Sequence, residues 1–140
     1  MRARGPVDDV LARLAAATKA ALRVEGVGEG TGTVAPSRDG DTWVLTAAGT
    51  WAPDGRPVRW RAVSRWRVEG AALSVAWVRP GAWARAVLDD HGGGVWVGRT
   101  PHVCGADRYA ASLRLGPDVV EVAWAIRGPA KASRVVTRFG

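Results

Sequence analysis

The stretch Val58-Arg59-Trp60-Arg61-Ala62-Val63-Ser64-Arg65-Trp66-Arg67-Val68 alternates without a slip. In an extended chain Trp60 and Trp66 fall on one face, and Arg59, Arg61, Arg65 and Arg67 fall on the other. A period of two describes a half-buried strand, with indoles toward a core and guanidinium groups toward water, their stems laid along the surface. The same alternation argues against a single-stranded nucleic-acid platform. Such a platform needs aromatic and cationic side chains on one face, where they can grip one polymer together.

Moving outward from this strand, short runs rich in Val, Thr and Trp recur between Gly, Pro and Asp clusters. This is the spacing of an all-β barrel or sandwich. Strands are expected at about 22 to 35, 42 to 51, 57 to 68, 71 to 78, 83 to 89, 94 to 99, 102 to 115, 118 to 127 and 132 to 139. Ser37 to Asp41, Pro53-Asp54-Gly55, Glu69-Gly70, Asp90 to Gly93 and Gly116-Pro117-Asp118 supply the residues of tight turns. None of these connections is long enough for a crossover helix, so the strands should be antiparallel. Before them, residues 6 to 21 read as one amphipathic helix. Pro6 suits its first position, Asp8 and Asp9 suit its N-terminal dipole, and Val7, Val10, Leu11, Leu14, Ala17 and Ala21 form a stripe. The expected fold is therefore all-β and antiparallel, of about 8–9 strands with one N-terminal helix, either an up-and-down barrel or a sandwich. It forms a single domain over 1 to 140, with the helix at 6 to 21 and the strands at 22 to 140.

Between Gly26 and Thr33 glycine stands at every second position, which strips one strand face of side chains and predicts a close approach of a neighbouring element. The run fails as a nucleotide fingerprint because Thr31 and Thr33 stand where the third glycine belongs and no helix follows.

The net charge of +7 would favour anionic partners. All but Lys19 and Lys131 of the basic side chains are arginine, which fits bidentate anion chemistry and fits equally a codon bias toward Arg, Ala, Gly and Val. A lone cysteine allows no intramolecular disulfide, and no apolar run reaches the length of a membrane span. Arg2 and Arg4 open the chain, but Asp8, Asp9 and Arg13 interrupt the apolar stretch that follows, so it does not read as a signal peptide. A cytoplasmic protein without membrane association is expected, and monomer and homodimer both stay open.

Eight tryptophans are many for this length. They either fill the core or line a lumen suited to a flat guest. The segment from Thr100 to Tyr109 gathers His102, Cys104, Asp107 and Tyr109, including the only cysteine and the only tyrosine. Under strict alternation the first two oppose the last two. A bulge at Gly105-Ala106 would bring all four to the inner face, at the barrel mouth. They are then either satisfied structural groups or a binding set. Two ligating side chains are too few for a zinc site, and no metal or cofactor is expected. Asp90-His91-Gly92-Gly93-Gly94 resembles an esterase oxyanion loop, but no G-x-S-x-G elbow accompanies it.

The pattern His102-x-Cys104-x-x-Asp107-x-Tyr109, then Trp124-x-x-x-Gly128-Pro129-x-Lys131 and Thr137-Arg138-Phe139, resembles a family of short uncharacterised bacterial proteins, a domain of unknown function. The resemblance covers residues 20 to 140 and implies a lipocalin-like, calycin-type cup without an established activity.

The leading expectation is binding of a small, flat, partly anionic organic molecule in a Trp-lined cavity. The expected contacts are His102, Cys104, Asp107, Tyr109, Trp124, Trp60, Trp66, Arg127 and Lys131. The ammonium of Lys131 is either an anion partner at the mouth or solvated at a turn. The alternative is a small cofactor-free isomerase or cyclase in which His102 or Tyr109 moves a proton. A third reading is an interaction module whose arginine face meets an acidic protein.

Overall fold

A computed structural model describes residues 5–79 and 82–140. The chain begins with the helix α1 (Pro6–Ala16), opened by Pro6 at its first turn and by the Asp8 carboxylate accepting from the Gly5 N–H at 2.8 Å. Val7, Val10 and Leu14 are buried beneath it, as the stripe predicts. The helix ends five residues short of the expected Ala21. Propensity alone does not stop it. The N–H groups of Thr18 and Lys19 donate to the Gly140 carbonyl at 2.8 and 2.9 Å, so sheet pairing captures the chain just after Ala17.

From there eleven strands follow: β1 (Lys19–Val24), β2 (Gly28–Asp39), β3 (Thr42–Trp51), β4 (Val58–Glu69), β5 (Ala72–Arg79), β6 (Ala82–Asp90), β7 (Val95–Gly98), β8 (His102–Cys104), β9 (Asp107–Gly116), β10 (Val119–Gly128) and β11 (Lys131–Phe139). All pairings are antiparallel. The order β1 to β7, then β9, β10 and β11, closes because β11 pairs with β1 and β9 with β10. The barrel therefore has ten strands, with β8 appended to β9, rather than the expected 8–9. The extra strand comes from residues 22 to 35, read as one strand, which are a hairpin turning at Gly26 with φ of 75°. Among the described residues no helix is long and apolar enough to cross a membrane.

Glycine explains how the wall closes. Gly30, Gly32 and Gly49 lie in register, Gly32 directly opposite Gly49 and Gly30 opposite Trp51. A Cβ on Gly32 would run into the Ala48 carbonyl oxygen, and one on Gly49 into the Thr31 carbonyl. What approaches the bare face is the neighbouring strand. Stripped of side chains, β2 and β3 close up and let the sheet turn its corner.

The helix packs across the β2, β3, β4 and β10 ends of the barrel. Arg13 reaches the Gly116 carbonyl there. The hairpin turns joining β1 to β2, β3 to β4, β8 to β9 and β10 to β11 lie at the far end. Trp60, Trp66, Trp77, Trp96 and Trp124 are buried in the interior, Trp43 and Trp51 are half-buried, and Trp83 is exposed. Arg59, Arg61, Arg65 and Arg67 face outward, as the alternation of β4 requires.

Because Gly32 touches backbone, Gly32→Ala should destabilise the fold by about 1–3 kcal/mol, the usual cost of overpacking. Urea unfolding checks this, and an unaltered midpoint would contradict the close approach.

Candidate functional site

Gly105 and Ala106 form no bulge. They are the two-residue turn between β8 and β9, with φ of 61° at Gly105, and Cys104 pairs with Asp107 and His102 with Tyr109. A positive φ at the first loop position is the pattern of a type II′ hairpin. The four side chains nevertheless share one face, because directly opposed residues of antiparallel strands point the same way. That face continues through Ala111 and Leu113 into the core. The expected grouping is correct, and its cause is a hairpin.

Within it, Tyr109 is buried, His102 and Asp107 are half-buried and Cys104 is exposed at the tip. The His102 ring meets Tyr109 edge-on at 6.2 Å between centroids and Trp83 at 4.8 Å. Asp107 accepts from Lys131 Nζ at 3.1 Å. Gly128 makes this ion pair possible. It lies directly across from Lys131, and a Cβ there would collide with Asp107 Oδ1. In sequence Gly128-Pro129 reads only as a strand end.

Trp124 lies deeper, stacked on Trp77 at 5.6 Å with planes 23° apart. Beside this stack, Trp66 donates its Nε1–H to Ser64 Oγ at 2.8 Å. A cavity of about 20 Å³ remains among Ser64, Trp66, Trp77, Val122, Trp124 and Phe139. That is room for about one water. The indoles thus fill the interior. Trp60, two residues into β4 at the far end, is only 8% exposed, and its Nε1–H has no hydrogen-bond partner among the described residues.

Arg127 does not join this group. Its neighbours Ile126 and Gly128 occupy the inner face, so Arg127 points outward opposite Arg108 and is exposed. Trp83, by contrast, is not among the expected contacts. The signal was its phase: it alternates with Ala84 and Ala86, shares the outer face with Arg85, and so stands 56% exposed beside His102.

The ladder changes register beside this hairpin. Trp96 faces Leu113, yet six residues further on His102 faces Tyr109, only four residues back, so two residues are extruded at Arg99-Thr100-Pro101. β6 pairs with β7 over Leu88–Asp90, and among the described residues no ladder joins β6 to β8. Arg99 pins the point of divergence. Its N–H donates to the Val87 carbonyl at 2.9 Å, and its guanidinium grips both oxygens of Asp89 at 2.9 and 3.0 Å. The hydrogen bond from Arg99 holds the Asp89 carboxyl below its ordinary value of 3.8 and raises Arg99 in turn. Below that junction Trp83, 56% exposed, packs against the His102 ring, and Val103 is 60% exposed.

Fold and hairpin together define a closed antiparallel β-barrel with a short N-terminal helix at one end and a polar and aromatic cluster at the other. Residues 11–140 match the model of a family described as a family of unknown function (DUF6314), and the chain belongs to that family. No curated protein and no solved structure matches it.

A lowered carboxylate contributes stability above its usual range and loses it as pH falls through the folded value. Amide exchange at Arg99, corrected for its intrinsic pH dependence, should therefore accelerate on acidification through the Asp89 titration. In Asp89→Asn it should be fast already at neutral pH. A rate in the native protein that stays flat across the acid range would contradict this role for the pair.

Proposed function

We propose that the protein binds a small, flat, partly anionic organic molecule at the far end of a lipocalin-like, calycin-type barrel, and that it does so in the cytoplasm. The observation that carries this reading is the buried Trp60 Nε1–H, which has no acceptor among the described residues. Such a group costs roughly 1–3 kcal/mol relative to a bonded one. A carbonyl or carboxylate oxygen of a guest would recover that cost. Lys131 supplies a cation at the same end, half-exposed and held by Asp107, and His102, Tyr109 and Trp83 supply flat walls. Apolar surface with a few polar anchors is the usual make-up of a small-molecule site. Because the depth of the barrel has space for little more than a water, the guest rests above the Trp77 and Trp124 stack.

His102 directly opposite Tyr109 also supports a second reading, in which this pair moves a proton on the bound molecule, as in a cofactor-free isomerase or cyclase. Under it, His102→Ala and Tyr109→Phe abolish turnover while leaving affinity largely intact.

Anilinonaphthalene sulfonate, a flat anion, should bind saturably with a rise in fluorescence. Lys131→Met should weaken it about tenfold or more, since a hydrogen bond to a charged group is worth about 1.5–3 kcal/mol. A response equally strong in Lys131→Met, together with a native mass spectrum showing no retained small molecule, would contradict the proposal.

A further inference from the structure

The outer wall over β4, β5 and β6 carries an apolar row between arginines. Val63 pairs with Val78, and Val78 pairs with Trp83, so these side chains lie side by side across the strands and point away from the lumen. Val78 is 39% exposed, Trp83 is open to solvent, and Val63 is half-buried. A contiguous apolar patch rimmed by polar groups marks an interaction surface, which single exposed apolar residues do not. Two residues along the strands in one direction, Arg65 and Arg85 stand directly across from Ala76 on either side. Two residues the other way on β4 stands Arg61. Rows set this far apart along a strand are separated by about 7 Å. Because valine and alanine are shorter than arginine, Val63, Ala76 and Val78 form the floor of a furrow whose sides are guanidinium stems.

Charge on this wall is of one sign. Arg59, Arg61, Arg65, Arg67 and Arg85 all project from it. Arg65 meets Asp39 at 3.0 Å, and that carboxylate stays 72% exposed. Asp89 is engaged by Arg99, and Glu69 stands at the last position of β4. Among the described residues Arg59, Arg61, Arg67 and Arg85 make no ion pair. A second copy of this chain would set the same arginines against each other, which opposes self-association here. A flat membrane surface does not reach the valines between the guanidinium groups. Single-stranded nucleic acid needs successive rings to stack on, and Trp83 is the only exposed tryptophan among the described residues.

The spacing of the row selects the form of the partner. Val63, Val78 and Trp83 are set one strand apart, about 4.8 Å each. An α-helix rises about 5.4 Å per turn, so a helix laid across the strands places one side chain over each. We propose that this wall is a docking surface, independent of the far-end site, for an acidic amphipathic helix of a partner protein. Its apolar stripe lies over Val63, Val78 and Trp83, and its flanking carboxylates meet Arg61, Arg65 and Arg85. Tryptophan and arginine are the residues that interfaces favour most.

Fluorescence anisotropy of the whole protein with a labelled synthetic helix, a leucine stripe flanked by glutamates, tests this. The peptide should bind saturably at submillimolar concentration, with an affinity that falls as salt is added. Arg61→Gln with Arg85→Gln should lose about tenfold or more. Val63→Thr with Val78→Thr, which keeps the β-branched shape and every charge, should lose about fivefold or more. Trp83 is left intact because it also borders the far-end site. Lys131→Met should bind the peptide as the native protein does. The proposal is overturned if the native protein shows no saturable binding, or if a polyglutamate peptide of the same charge binds as tightly. It is equally overturned if either double variant, still folded, binds as the native protein does, if oligothymidylate or vesicles of anionic lipid bind more tightly than the peptide, or if Lys131→Met abolishes binding. Loss of the naphthalene sulfonate response with peptide binding intact would remove the far-end reading alone.

Discussion

Ten strands enclose more space than aliphatic side chains fill. About eight already leave an interior just wide enough for packed side chains or one small ligand, and diameter grows with strand number. This chain meets the excess with indole. Trp66, Trp77, Trp96 and Trp124 occupy the middle, and the stack of Trp77 on Trp124 reaches between β5 and β10 across the lumen. Each indole brings an N–H that must be satisfied once water is excluded. Ser64, placed two residues before Trp66 on the same face, does this for Trp66. Among the described residues Trp60 lacks such an acceptor.

The same filling fixes where chemistry can occur. The helix covers one end and indoles occupy the centre, leaving the far end and the outer wall. At the far end, the short turn at Gly105 aligns His102, Cys104, Asp107 and Tyr109, and Gly128 lets Asp107 reach Lys131.

Much of this was legible in the chain. The period of two in Val58 to Val68 reported which face of β4 is inside, and the Gly and Asp turns reported the antiparallel meander. Alternate glycines from Gly26 to Gly32 reported a close approach, although the approaching element is β3. The errors have a common cause: local pattern does not carry pairing. Ala and Leu continue the helical stripe as far as Ala21, but Ala20 and Ala21 pair with Phe139 and Arg138. Residues 22 to 35 looked continuous because a glycine-rich strand and a glycine turn share a composition. Gly105-Ala106 serves as well for a bulge as for a turn, and only the ladder from β8 to β9 decides. Arg127 follows Ile126, so its phase already places it on the outer face.

The claim on which the rest stands is that the lumen holds the protein's own tryptophans rather than water. Hydrogen exchange at the eight indole N–H groups, followed by NMR, reads this directly. Trp66, Trp77, Trp96 and Trp124 should exchange slowly, on the timescale of global opening, while Trp83 exchanges at once with solvent. Rapid exchange at all of them would mean a wet, open barrel and would contradict the account.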